Sequence, residues 1–205
     1  MFARRAAKRA SLMATVIALA VLLLSSPASA SHNGGWDPTA NRYCWWRLPS
    51  DYPLSASTVD TMEHQTIDYV NDARMIYGLP PLQNTSCISM AASMHSGDQI
   101  WYRQPQQHVI NGLNWPDRLR NAGVNFIASG ENVSCQYGTY SWSYLASIFP
   151  YGTVWGDHGW MYSPDHYKNI LSMNGQWNYA GLGIAAGYIG GWKYICVTQD
   201  FVRTV

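Results

Sequence analysis

Apolar positions recur at three- and four-residue steps through Val59, Met62, Thr66, Val70, Ala73 and Tyr77, which predicts a helix over about 58–77 with that face in the core. Ser57 with Asp60 offers a capping box at its start, and Gly78 suits the left-handed position beyond its end. Leu79-Pro80-Pro81-Leu82 breaks the pattern, and a second helix is expected over about 86–102 with Cys87, Met90, Ala91 and Met94 turned inward. Pro116 at a tolerated first-turn position, with Gly123 behind, predicts a short helix over 117–122. The segment around Glu131 reads as a strand. Between Cys135 and Gly159 the sequence is crowded with Tyr, Trp and Gly, and only 144–149 reads as helical. Ser163-Pro164 starts another helix, so that His166 and Asn169 fall three residues apart on one face. Residues 179–186 and 192–201 then alternate as strands, with Tyr188, Ile189 and glycines in the turn between them. Helices against a small antiparallel sheet predict the α+β class.

The two ends of the pattern differ from this body. Arg4, Arg5, Lys8 and Arg9 precede an apolar run from Leu12 to Leu24, and Ala28-Ser29-Ala30 offers small residues for cleavage. Residues 1–30 are therefore expected to be a secretory signal peptide, and the run is short for a membrane span. Residues 31–56 read as an irregular extension holding Pro38, Pro49 and Pro53 and the aromatics Trp36, Tyr43, Trp45 and Trp46, with Cys44 tying it to the domain at 57–205.

Removal of the signal changes the charge balance. Four of the thirteen basic residues leave with it and none of the twelve acidic ones, so nine face twelve in the exported chain. That balance argues against nucleic acid or an anionic membrane as the main partner, because both reward clustered Lys and Arg. The four cysteines, Cys44, Cys87, Cys135 and Cys196, suit two disulfides in an oxidising compartment. Three pairings are open; Cys44 with Cys87 and Cys135 with Cys196 are favoured because each joins neighbouring elements. No Cys-x-x-Cys pair is present for a cysteine zinc site.

The chemistry-bearing residues gather in the second half. Two imidazoles and a carboxylate, His108, His166 and Glu131, are a recurrent first shell for zinc and leave a position open for water or substrate. Asn71-x-x-Arg74, Gly78-Leu79-Pro80-Pro81-Leu82, Asp117-Arg118-Leu119, Gly130-Glu131-Asn132, Trp160-Met161, Ser163-Pro164-x-His166-x-x-Asn169-Ile170-Leu171, Gly181-Leu182-Gly183 and Val197-Thr198-Gln199-Asp200-Phe201 stand in one order along the chain. Together with His108 they resemble the CAP superfamily of cysteine-rich secretory proteins, antigen 5 and plant pathogenesis-related proteins, in its bacterial SCP-like branch. The resemblance covers about 58–202 and leaves the extension and most of 136–159 outside it. It implies an α-β-α sandwich with a cleft in which His108, Glu131 and His166 hold zinc or another divalent cation. The sequence departs from the family in lacking a second glutamate after Trp160, since Glu63 is the only other one, and in placing Asp165 and Tyr167 beside His166.

The expectation is a secreted binding protein whose cleft takes a divalent metal or small ligand, without a nucleophile for turnover. The alternatives are a metal-assisted extracellular hydrolase with Glu131 as general base, or a lipid, sterol or protein interaction module. Ten tryptophans and fourteen tyrosines offer apolar faces with polar edges to an extracellular lipid, glycan or protein, and Trp36, Trp45 and Trp46 are expected to be the exposed set. His32, His64, His95 and His158 read as solvated or core-satisfied. Gly181-Leu182-Gly183-Ile184-Ala185-Ala186 matches a dinucleotide fingerprint by letter, but a glycine turn and strand follow where a helix is needed, so no nucleotide is expected. Asn84-Thr85-Ser86 and Asn132-Val133-Ser134 are glycosylation sequons, the second beside the cleft.

Overall fold

A computed structural model describes residues 35–46, 48, 52–173 and 176–205. The expected signal peptide and His32 lie outside the described residues, and no helix among those described is long and apolar enough to cross a membrane. The elements in order are β1 (Gly35–Asp37), β2 (Arg42–Cys44), α1 (Ala56–Ile76), β3 (Gln83–Asn84), α2 (Ser86–Trp101), α3 (Trp115–Asn121), β4 (Ala128–Gly138), α4 (Trp142–Trp155), a 3-10 turn (Trp160–Tyr162), α5 (Pro164–Ile170), β5 (Tyr179–Ile189) and β6 (Trp192–Arg203). The main sheet runs β3-β5-β6-β4; β5, β6 and β4 are antiparallel and only the short β3 runs parallel to β5. The class is α+β, as the pattern predicts.

Helices cover both faces of the sheet. On one side α2 lies along β5 and β6; on the other, α1 and α4 pack together over a core that includes Val59, Met62, Phe149, Trp160, Leu182, Ile184 and Val197. Gly181 and Gly183 allow the approach of α2: a Cβ on either would overlap the backbone of Ser89 or Ser93. The glycine pair that imitates a nucleotide fingerprint is thus a packing device.

Helix α1 buries Val59, Met62, Thr66, Val70 and Ala73, but Tyr77 lies beyond the helix and is exposed. Its cap is Ser55 rather than Ser57: the Ser55 hydroxyl accepts from Thr58 N–H at 3.1 Å. Gly78 takes the left-handed conformation (φ 71°) expected after the helix. The buried Arg74 then serves the carbonyls at two chain breaks, donating to Pro80 O at 2.8 Å and to Ile170 O at 2.6 Å. That bridge gives the Asn71-x-x-Arg74 spacing a physical role, and Asn71 adds a bond from Leu82 N–H at 2.9 Å.

Four further expectations need correction. Met94 is exposed, because α2 meets the sheet through Ile88, Ser89, Ser93 and Ser96. The helix expected over 144–149 extends over Trp142–Trp155, its apolar residues Leu145, Phe149 and Val154 buried on either side of Pro150. Tyr188 and Ile189 are in β5, not in the turn; the turn is Gly190-Gly191, both with positive φ. The N-terminal extension is not irregular throughout, since β1 and β2 pair as a small hairpin. Both favoured disulfides are present, and Cys44–Cys87 ties that hairpin to α2.

Candidate functional site

Glu131 sits in β4 directly opposite Asp200 of β6, and its side chain is buried on the α2 side of the sheet. Gly130 before it is tight against Asn169 and Trp177, each 3.1 Å from where a Cβ would stand. Asn132 after it, together with the Glu131 carbonyl, binds α5: Asn169 Nδ2 donates to Glu131 O at 3.1 Å and to Asn132 Oδ1 at 2.9 Å, while Asn132 Nδ2 donates to His166 O at 3.2 Å. The Gly130-Glu131-Asn132 triplet therefore fixes the helix that carries His166. Trp177 Nε1 donates to the Asn169 carbonyl and completes the tie.

Both carboxylate oxygens of Glu131 are engaged. His108 Nδ1 lies 2.7 Å from Oε1, and Arg118 Nη2 donates to Oε2. Because a carboxylate only accepts, the bonded His108 nitrogen is the donor, and Nε2 is the ring nitrogen left outside this bond. That ring is partly open to solvent, at 42% side-chain exposure, whereas Glu131 is closed off. Arg118 also donates through Nη1 to His108 O and Leu113 O, so one guanidinium holds both the carboxylate and the loop bearing His108. Asn114 caps α3 with a 3.0 Å bond from Asp117 N–H and so sets where Arg118 points.

Behind this pair lies a buried second tier. His95 of α2 is fully buried, with Nε2 at 2.8 Å from Gln107 O and 3.9 Å from Glu131 Oε2. Burial pushes its pKa down to about 4, against the partial counterweight of Glu131, so the imidazole is neutral at physiological pH. Asp200 is pushed the other way: burial, then the Glu131 charge, raises its carboxyl well above the ordinary range. One cation, Arg118, thus stands among two buried acids, Glu131 and Asp200.

The structure joins His108 to Glu131 directly and holds His166 on the α5 that the same strand anchors. Burial and the nearby His108 both lower the pKa of His166, whose ring lies 6.3 Å from Trp160; the Trp115 ring lies 6.0 Å from His108. No group of three or more His, Cys, Asp or Glu side chains suited to a metal ion occurs among the described residues. Asp165 faces solvent with Lys168, and Asp157 and His158 are exposed, so none of them stands in for the missing second glutamate. His95, Arg118 and Asp200 also belong to this cluster, although the sequence does not single them out as site residues. Arg118 and Asp200 lie in Asp117-Arg118-Leu119 and Val197-Thr198-Gln199-Asp200-Phe201, but nothing in their spacing marks side chains that meet at Glu131.

No protein-family model matches the chain, and no curated protein matches it. Among solved structures there are neighbours. In fold, the chain is similar to an SCP-domain protein. That neighbour is an extracellular protein containing an SCP domain from Bacillus anthracis, at 24% identity and a TM-score of 0.47 over 80% of this chain; the chain spans 46% of its length. An outer surface protein from Borrelia burgdorferi aligns over 67% of this chain and 90% of its own, at 12% identity and a TM-score of 0.48. BmVAL-1 aligns over 77% of this chain and 82% of its own, at 14% identity and a TM-score of 0.45.

Proposed function

We infer that the chain is a secreted CAP-type binding protein whose cleft takes a divalent cation, with zinc the first choice, through His108 and His166. The observation that carries this reading is the Arg118–Glu131–His108 chain, in which a fully engaged carboxylate fixes one imidazole with its outer nitrogen free. A carboxylate behind a ligating histidine is the usual outer partner of such a ligand, orienting the ring and raising its basicity. Glu131 is therefore assigned the outer position, and the three-ligand set of His108, Glu131 and His166 becomes two ligands and their support. A bound cation would act there as a Lewis acid or as an anchor for an extracellular ligand.

The low pKa of His166 helps, because a neutral imidazole is the form that binds metal. Export is supported by the two disulfides and by the basic and apolar start of the sequence. Hydrolysis with Glu131 as base would require the carboxylate to release Arg118 or His108 first. Isothermal titration of metal-stripped protein with zinc tests the reading: one site is expected in the wild type and none in His108→Ala/His166→Ala. Heat of the same size in both proteins would overturn it.

A further inference from the structure

The far end of the sheet carries a second feature, independent of the cleft. In the β4–β6 register Tyr137 stands opposite Tyr194, and their rings stack with centroids 5.2 Å apart at 22°. Trp192, two residues along β6 and so on the same face, meets Tyr137 edge to face with centroids 5.9 Å apart. Tyr137 is 62% exposed and Trp192 48% exposed, while Tyr194 behind Tyr137 is half-buried. Tyr137 lies six residues from Glu131 along β4, roughly 20 Å away at the rise of a strand.

The platform is held rigid. The Gly190-Gly191 turn closes the hairpin just beyond Trp192, and the Cys135–Cys196 disulfide crosses the same strand pair two residues inward. Rings already fixed in place lose little entropy on binding.

The charge around it selects the ligand class. In 137–144 and 188–194 the only charged side chain is Lys193, and it is committed to the opposite face, donating to Tyr140 O at 2.8 Å and lying 5.7 Å from the Trp142 ring centre. An anionic membrane or a nucleic acid needs free clustered cations, and this tip offers none. What remains is an uncharged partner with a flat apolar face and a rim of hydroxyls. A pyranose ring fits: its C–H face covers an aromatic ring while its hydroxyls meet phenol and backbone groups.

We propose that the exposed rings of Tyr137 and Trp192, with Tyr194 stacked behind Tyr137, form a binding site for an uncharged polysaccharide whose sugar rings lie on the aromatic faces left open. The test is co-sedimentation of the full chain with insoluble cellulose and with chitin at low and high salt. Retention on at least one polymer, little changed by salt, is expected, with a tenfold or greater loss in Tyr137→Ala/Trp192→Ala. His108→Ala should be retained like the wild type, which separates this site from the cleft. Trp192→Ala alone, at the exposed first position of β6, provides the same comparison should the double variant misfold. The proposal is overturned by wild-type protein that stays in the supernatant with both polymers, or by retention that survives the Trp192→Ala change. Binding to phosphatidylglycerol vesicles, or self-association by sedimentation, either one lost in these variants in place of polysaccharide retention, would equally overturn it.

Discussion

Arg118 is the residue on which the candidate site depends. Its guanidinium is buried, at 6% exposure, and its partner Glu131 is fully enclosed, so the pair is paid for only while both members are present. Arg118→Ala should cost about 3–5 kcal/mol in denaturant unfolding, and a loss under about 1 kcal/mol would show that Glu131 is not held as described. His95 gives a second expectation at this scale. Its pKa is about 4 in the fold against 6.5 when free, so unfolding takes up a proton between those values. The stability of the neutral ring is complete above pH 6.5 and is lost as pH falls toward 4. The raised carboxyl of Asp200 acts in the opposite sense, its contribution present at low pH and lost as pH rises. The readout is therefore the difference between proteins: His95→Gln should show a shallower fall in stability on the acid side than the wild type. Parallel curves would count against a buried neutral His95. None of these three residues announces itself in sequence, because a lone Arg, His or Asp on an element carries no mark of what it reaches across the fold.

At the scale of elements, periodicity was legible wherever one face is buried and the other solvated. Helix α1 and the β5–β6 pair are such cases, and their bounds shifted by only a few residues. Helix α4 was obscured because Tyr, Trp and Pro150 imitate strand and turn composition while its buried residues face both α1 and the sheet. The β1–β2 hairpin was illegible because strands of three residues are shorter than any pattern they could show. That hairpin nevertheless supplies a missing cap. Thr85 makes no side-chain bond at the start of α2, and Asp37 reaches in instead, accepting from Cys87 N–H at 2.5 Å. Asp37→Ala should cost about 1–3 kcal/mol in thermal or denaturant unfolding, since it leaves a buried donor unpaired. An unchanged midpoint would mean that the hairpin does not cap α2. Side chains also close the open sheet edges: Glu63 and Tyr52 take the outward groups of β5 at Ile184 and Ala186, and Trp160 Nε1 donates to Val133 O on β4. Glu63 is thus a buried edge cap, not a substitute for the glutamate missing beside the cleft.

Across the whole molecule, the layered α+β fold and both disulfides agree with the reading of the sequence, and His108 and Glu131 do meet. The proposed roles differ from that reading: with Arg118 on its carboxylate, Glu131 is proposed to stand behind His108 rather than on a metal. The exposed aromatics differ as well. Trp36 and Trp45 are exposed as expected and Trp46 is half-buried, but the larger ring cluster lies at the hairpin tip. The role of Glu131 is the central claim, and zinc titration of Glu131→Gln beside the wild type tests it most directly. One ion per chain in both proteins, with affinity about ten- to a hundredfold weaker in Glu131→Gln, is the result expected of an outer carboxylate. No zinc bound by the wild type, or equal affinity in the two proteins, would contradict it.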